Sequence, residues 1–226
     1  MRFDIITLFP DMVHNVLNES IIGRAQSGGS IEVMTHQLRD WSRDKHRRVD
    51  DTPYGGGKGM LIRPEPVCDC HRDVKNMCHD VKTRTVYMSP KGKVLTQKKA
   101  FELAGYDRLI IICGHYEGID RRAIDMVADE EISVGDYVLT GGEIPACILV
   151  DCVSRLCPGV LSSSECYENE SVACGMLEYP QYTRPEVYNG VSVPKVLLGG
   201  NHAEIEKWRH DAALALTVKN RPDMIY

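Results

Sequence analysis

The sequence lacks a hydrophobic run that could span a membrane. Its longest apolar runs, Leu109–Cys113 and Ala146–Val150, are far shorter than the roughly 18 residues that a membrane helix requires. The first residues do not form a secretory signal, because Asp4 and Pro10 interrupt them. We therefore expect a cytoplasmic protein with no membrane partner.

The sequence also lacks the cysteine spacing of a zinc site and an excess of positive charge. It has nine cysteines, but the closest pair, Cys68 and Cys70, is not a C-x-x-C motif, so no metal site is predicted and the thiols are expected to be reduced. Its 27 Lys and Arg against 32 Asp and Glu give a net charge of −5. That balance excludes a basic protein that coats nucleic acid, but it allows a local basic surface such as Arg39–Arg48.

The pattern of hydrophobic residues predicts an α/β fold. The 226 residues are 43% hydrophobic and 26% charged, which suits a soluble protein of one large domain or two modest ones. Helices are predicted to begin at Asp11, at Thr96 and near Ile144, the last one ending at Leu156. Short apolar runs predict strands between the helical patterns, at Phe3–Leu8, Ile31–Leu38, Thr85–Met88, Leu109–Cys113 and Glu131–Val134. This alternation indicates a largely parallel sheet.

A change of composition near residue 161 predicts a second domain. Residues 162–172 are polar and rich in serine, which is typical of a flexible linker. Beyond them, 173–226 contains scattered turns and one helix from about His202 to Val218, capped by Asn201. We therefore expect an α/β domain over 1–161 and a small helical domain over 173–226.

Three segments rich in glycine or small residues follow predicted strands, at 87–92, 113–120 and 133–143. In open α/β sheets, ligands bind at the carboxyl ends of the strands. Three converging loops would offer backbone donors and acceptors to a flat, polar ligand. The alternative is that these glycines serve only as turns and caps.

Familiar nucleotide motifs fail in the glycine-rich segment Tyr54–Met60. A phosphate-binding loop requires Ser or Thr after the lysine, but Lys58 is followed by Gly59. The dinucleotide pattern fails as well, because it would require glycine at position 60. The run Gly55–Gly57 would still let the backbone approach a ligand closely.

The chain resembles the bacterial tRNA (guanine-N1)-methyltransferases of the TrmD family. The resemblance rests on collinear segments distributed over nearly the whole chain: Ile6–Pro10, Asp44–Arg47, Val49–Asp51, Pro53–Gly57, Gly114–Asp120, Ser133–Pro145, Val153–Arg155, Pro158–Leu161, Tyr182–Glu186 and Gly200–Ile205.

This resemblance implies a fold, an activity and partners. The expected fold is a parallel α/β domain with a deep trefoil knot in its C-terminal half, followed by the small helical domain. The expected activity is transfer of the methyl group of S-adenosylmethionine to N1 of the guanine at tRNA position 37, beside the anticodon. The resemblance also implies a homodimer with composite active sites. The sequence leaves open whether magnesium takes part.

The resemblance places the cofactor in the knot, against the three small-residue loops. The residues expected to bind it are Tyr87, Met88, Ser89, Pro90, Gly114, Tyr116, Glu117, Gly118, Ser133, Val134, Gly135, Asp136, Tyr137, Val138, Leu139, Gly141, Gly142 and Pro145.

Two residues match the family's catalytic pair. The family's catalytic arginine corresponds to Arg155, whose fork could donate two bonds to guanine O6. The family's general base is an aspartate fifteen residues later, where this chain has Glu170. Glutamate keeps the carboxylate with one more methylene, and Glu168 is a competing candidate.

The resemblance assigns RNA contacts to the segment before the glycine run. Asp50 would read the guanine at tRNA position 36. The target base would lie near Tyr54, Gly55, Gly56 and Gly57, and the phosphates near Lys45, His46 and Arg47. Thr52 and Lys58 depart from the family's usual arginine and proline.

Two other functions stay open. A knotted methyltransferase that acts on another RNA, such as ribosomal RNA, would share the cofactor loops but should lack Pro53–Gly57 and Tyr182–Glu186. A catalytically impaired RNA-binding relative is favoured only by Glu170 in place of aspartate, and the presence of Arg155 argues against it.

Overall fold

A computed structural model describes residues 1–163, 171–172 and 175–225 of the chain. The chain divides into two compact units, Met1–Ser163 and Ser164–Tyr226. Within the described residues, no helix is both long enough and apolar enough to cross a lipid bilayer.

The first unit is built on a parallel sheet of five strands: β1 (Arg2–Thr7), β2 (Glu32–Gln37), β5 (Thr83–Val94), β6 (Arg108–Cys113) and β7 (Glu130–Ser133). Their order across the sheet is β2-β1-β6-β5-β7. A separate antiparallel pair is formed by β3 (Asp50–Asp51) and β4 (Leu61–Ile62). The five strand predictions and the parallel arrangement are confirmed.

Helices cover both faces of the sheet. One face carries α1 (Pro10–Leu17), α2 (Ser20–Ser27), α4 (Gln97–Ala104) and α6 (Glu143–Ser154); the other carries α3 (Pro64–Lys75), α5 (Arg121–Val127) and the 3-10 turn Leu38–Trp41. The central strand β6 shows why both faces of the sheet need a helical layer. Leu109 and Ile111 face one helical layer while Ile110 and Ile112 face the other, and all four are fully buried. A strand buried on both sides has to be a continuous apolar run, as this one is.

Some helix ends differ from the predictions. Asp11 does not cap α1: the N-cap is Phe9 and Pro10 is the first helical residue, because proline's fixed φ suits that position. Thr96 caps α4 through its side chain, as predicted. The helices α2, α3 and α5 were not predicted, although in α3 the buried residues Val67, Cys70 and Val74 recur at helical spacing.

Strand β5 is longer than predicted and is interrupted. Its register against β7 shifts between Met88 and Lys93, so residues 89–92 leave the ladder at the carboxyl end of the sheet. The strand then resumes pairing through Lys93 and Val94. This excursion is the first of the three predicted loops.

The second unit contains the helix α7 (His202–Asn220) and a hairpin of β8 (Val187–Tyr188) and β9 (Val191–Ser192). Asn201 caps α7 by accepting a hydrogen bond from the backbone of Glu204, which confirms the predicted cap. The hairpin was read only as turns, although its Asn189–Gly190 pair is the residue pair that two-residue hairpin loops prefer. Glu170, Glu168 and most of the predicted linker lie outside the described residues.

A buried ionic cluster joins the strands β1, β2 and β6. Asp4 is fully buried and receives hydrogen bonds from Arg108 at 2.6 Å, Arg2 at 2.8 Å and His36 at 2.7 Å. Burial by itself would raise the pKa of Asp4, but the hydrogen bonds from His36, Arg2 and Arg108 outweigh it and hold that pKa well below its usual range. Asp4 therefore stabilises the fold as a carboxylate, and this stability is lost as the pH falls through its low folded-state pKa.

Replacing Asp4 by asparagine should lower the free energy of unfolding by about 3–5 kcal/mol, because Arg108 would stay buried without its counter-charge. Urea denaturation at neutral pH measures the change. Glu32→Gln is the control: it removes an exposed partner of Arg2 and should cost less than about 1 kcal/mol. If both variants lost the same free energy of unfolding, that result would contradict the proposed role of Asp4 in stabilising the fold.

Candidate active site

The three predicted loops meet at the carboxyl ends of β5, β6 and β7. Together they line a cleft of about 270 Å³. All predicted cofactor residues except Gly135 and Asp136 contribute to its wall. Four further wall residues belong to the predicted loops but were not named as cofactor residues: Lys91, His115, Ile119 and Thr140. Four more lie outside those loops and were not predicted: Arg121, Ile124, Glu131 and Ile132.

Backbone contacts join the second and third loops. The amide of Gly142 donates to the carbonyl of Gly114 at 2.8 Å, and His115 and Gly141 form an isolated β-bridge. A Cβ atom on Gly142 would lie 2.8 Å from the Cα of Cys113. Glycine at position 142 therefore permits this approach of two backbones, beyond its use as a helix cap.

Gly135 and Asp136 lie beside the cleft and shape the third loop. The Ser133 hydroxyl donates to the carbonyl of Gly135 at 2.9 Å and accepts from its amide at 3.1 Å. Gly135 has a φ of 149°, and a side chain there would strike the ring of Tyr137. This turn therefore sends 137–139 along the edge of the cleft.

The predicted RNA-binding residues form a separate surface. Arg47 forms an ion pair with Asp40, and Arg48 pairs with Asp44 at 3.2 Å, so part of the positive charge in this segment is locally balanced. Asp50 is half-buried in β3. Beyond it, Tyr54 is 99% exposed, which leaves its ring entirely available to a partner.

The glycine run Gly55–Gly57 adopts a backbone conformation that favours glycine. Gly55, Gly56 and Gly57 all have positive φ values, of 84°, 78° and 129°. The run leads into strand β4, and the next helix, α3, begins only at Pro64. A phosphate-binding loop leads directly into a helix N-terminus, so the geometry also argues against that function.

The segment that follows the glycine run, Gly59–Ile62, is hydrogen-bonded directly to the second cleft loop. The amide of Glu117 donates to the carbonyl of Met60 at 3.0 Å, the amide of Ile62 donates to Gly118 at 3.0 Å, and the amide of Asp120 donates to Ile62 at 2.9 Å. A Cβ atom on Gly59 would lie 2.6 Å from the Glu117 carboxylate. The two surfaces that the sequence assigned to different ligands therefore share one backbone ladder.

Arg155 lies at the C-terminal end of α6, half-buried, with its amide donating to Asp151 at 3.3 Å. Its predicted partners Glu170 and Glu168 fall outside the described residues. Across the part of the chain that the structure describes, no three His, Cys, Asp or Glu side chains cluster in a way that could hold a metal ion.

The first unit is a doubly wound α/β domain with a cleft at the carboxyl ends of parallel strands. The family described as tRNA (Guanine-1)-methyltransferase TrmD matches residues 1–226. The chain belongs to this family.

Relatives with this name match almost end to end. A protein of Lachnospira eligens named tRNA (guanine-N(1)-)-methyltransferase is 55% identical over 99% of this chain and 94% of its own length. A protein of the same name from Ruminiclostridium cellulolyticum is 55% identical over 99% of this chain and 96% of its own length. A third protein of this name, from Geobacter sulfurreducens, is 50% identical over 100% of this chain and 91% of its own length.

The phenol of Tyr87, which lines the cleft, has a raised pKa. Burial, with the nearby charge of Glu131, raises the pKa of Tyr87 to about 12, against about 10 for an exposed tyrosine. The folded state therefore favours the neutral phenol. The resulting stability is present below pH 10 and is lost as the pH rises toward 12.

We expect Tyr87→Phe to lose less stability than the wild type between pH 9 and pH 11. Urea midpoints across that range measure the difference. Tyr188→Phe, at an exposed hairpin tyrosine, should follow the wild-type curve. A Tyr87→Phe curve parallel to the wild type would show that Tyr87 titrates as it does in the unfolded chain.

Proposed function

We propose that this protein transfers the methyl group of S-adenosylmethionine to N1 of the guanine at tRNA position 37. The observation that carries the proposal is the family match over 1–226, together with full-length relatives that bear the name tRNA (guanine-N(1)-)-methyltransferase. The cleft and the adjoining exposed segment offer separate surfaces for a cofactor and for RNA. We further propose that the protein acts in the cytoplasm.

The cleft has the features that S-adenosylmethionine needs. Its wall combines apolar side chains with the bare backbone of Gly114, Gly141 and Gly142, where the flat adenosine could contact main-chain donors and acceptors. A Cβ atom on Gly114 would lie 2.7 Å from the Tyr87 hydroxyl, so a side chain at this position would displace the Tyr87 ring that lines the cleft. The bound cofactor supplies an electrophilic methyl group. We also propose that the chain follows the trefoil knot that its family resemblance implies.

The chemistry requires a base and a cation. Guanine N1 carries a proton at neutral pH, so a carboxylate must remove it while the methyl group is held in line about 3–3.5 Å away. Negative charge then develops at O6, where a guanidinium stabilises it. We assign these roles to Glu170 and Arg155.

We propose that residues 45–57, next to the cleft, recognise the tRNA. Asp50 can accept hydrogen bonds from a guanine, and Tyr54 with Gly55–Gly57 can lie against the target base. Lys45, His46 and Arg47 can contact phosphates, which position RNA without specifying its sequence. The small helical domain predicted over 173–226 would add further tRNA contacts.

A homodimer explains the position of Arg155. Ile144 and Ile148 are exposed on α6, and Arg155 follows seven residues later on the same side of the helix axis. Met12 and Val16 are exposed on α1, which packs beside α6. A second copy covering this apolar face would bring Arg155 to the active site of its partner.

Labelled S-adenosylmethionine and tRNA transcripts test the activity. A transcript with guanine at position 37 should be methylated at N1, and one with adenine there should not. Ribosomal RNA serves as the third substrate. Methylation of that RNA alone would favour a knotted methyltransferase of different specificity, and cofactor binding with no methylation of any RNA would favour an impaired relative.

The assignment of Glu170 predicts a selective kinetic defect. Glu170→Gln should lower single-turnover methylation about 10²- to 10⁴-fold, the usual effect of removing a positioned base. Cofactor affinity should stay near the wild-type value, and Glu170→Asp should retain substantial activity. Glu168→Gln is the matched control and should retain most of the methylation activity. If Glu168→Gln loses activity while Glu170→Gln remains active, the base is Glu168.

Hybrid dimers test whether the active site is composite. Arg155→Ala and Glu170→Ala should each be inactive. Mixing the two variants should restore part of the activity, since one of the two sites in a hybrid would receive both intact residues from different subunits. A fully active monomer in analytical sedimentation would refute this arrangement.

A further inference from the structure

Three polar residues beneath the cleft have no role in the mechanism above. The Thr7 hydroxyl, at the end of β1, donates to Glu143 Oε1 at 2.8 Å. The second carboxylate oxygen of Glu143 faces His115 Nδ1 at 4.0 Å. His115 in turn lines the cleft.

The Glu143 carboxylate is firmly held. The side chain is only 2% exposed and stands in the first turn of α6, where the helix dipole favours a negative charge. The Thr7 oxygen that donates to it also accepts from the Phe9 amide at 2.9 Å, so the hydroxyl proton can point only toward Glu143. Oε1 is therefore occupied and Oε2 is left for His115.

The imidazole of His115 is held equally firmly. Its ring packs against Phe9 at 4.9 Å and Tyr116 at 5.1 Å between ring centroids. Nδ1 is buried and has no hydrogen-bond partner among the described residues. A quarter of the His115 side chain is exposed, so part of the ring other than Nδ1 faces the cleft.

Gly141 permits the close approach of the Glu143 carboxylate and the His115 imidazole. A Cβ atom at this position would lie 2.5 Å from Glu143 Oε2 and 2.6 Å from His115 Nδ1. The glycine thus occupies the place where a side chain would separate the pair. The remaining gap exceeds an ordinary N–H···O distance by roughly 1 Å.

We propose that Glu143 is a positioning residue that keeps the proton of neutral His115 on Nδ1 and presents the Nε2 lone pair to the cleft. The proton on one ring nitrogen is set by the partner of that nitrogen, and a buried carboxylate is an acceptor only. Nε2 then accepts a hydrogen bond from an amino or hydroxyl group of the cofactor. This last step rests on the proposed function.

Neighbouring titratable groups do not compete with Glu143. Burial, together with the charge of Glu143, raises the pKa of the Cys147 thiol to about 11 and that of Cys113 well above its usual value. Both thiols are therefore neutral at pH 7. Tyr116, on the same loop as His115, touches the ring edge-on.

Nitrogen NMR on the free, full-length protein tests the tautomer directly. The His115 resonances are identified by their loss in His115→Asn. We expect the Nδ1–H form in the wild type and a shift of population toward Nε2–H in Glu143→Gln. His14, whose Nε2 lies 3.0 Å from the Thr35 hydroxyl, should be unchanged and serves as the internal reference.

Calorimetry with S-adenosylmethionine provides the second measurement. Glu143→Gln should weaken binding about tenfold, and Glu143→Asp, which keeps the charge, should recover part of the loss. Glu65→Gln is the matched control, because Glu65 also stands in the first turn of a helix but at the surface beside Arg63. Should Glu143→Gln fail to fold, Thr7→Val frees the carboxylate and Thr7→Ser restores the hydroxyl.

An Nε2–H tautomer in the wild type would overturn the proposal, and so would unchanged tautomer and affinity in the Glu143 and Thr7 variants. A wild-type protein that does not bind S-adenosylmethionine would instead refute the proposed function. The NMR result on the free protein would still decide the role of Glu143.

Discussion

The site depends on the backbone ladder that holds residues 114–120 from both sides. On one side this loop is bonded to Met60 and Ile62, and on the other its first glycine accepts from Gly142. Backbone hydrogen bonds of this kind fix main-chain positions whatever the side chains are. The loop is therefore a common wall, with the cleft on one side and the exposed glycine-rich segment on the other.

This shared wall suits methyl transfer between two large ligands. The reaction needs the methyl donor and the guanine base to meet within about 3.5 Å. If each ligand bound to an independent loop, their separation would vary with the motion of both loops. Here the hydrogen bonds from Glu117 to Met60 and from Ile62 to Gly118 join the surfaces that we propose for the RNA and for the cofactor. The buried cluster around Asp4 joins β1 and β2 to β6, one of the three strands whose carboxyl ends carry the cleft.

Much of this arrangement could be predicted from the sequence, because strands buried on both faces are continuous apolar runs and because small-residue segments follow them. The rule that parallel strands share their carboxyl edge then placed the three loops together. Arg121 and Ile124 were missed because they enter the cleft from α5, which has no strong periodic pattern. His115 stood inside a predicted loop, but only the fold shows that Glu143 lies beside it. The ladder to Met60 and Ile62 joins residues more than fifty positions apart and leaves no local pattern.

Amide hydrogen exchange in the free protein tests the ladder most directly. The account predicts slow exchange at Glu117, Ile62 and Asp120, comparable to Gly142, with Gly55–Gly57 exchanging fast because none of their amides is bonded within the described ladder. Binding of S-adenosylmethionine should slow all four ladder amides together. Fast exchange at Glu117 and Ile62 beside a protected Gly142 would show that the two surfaces move independently, and that result would contradict the account.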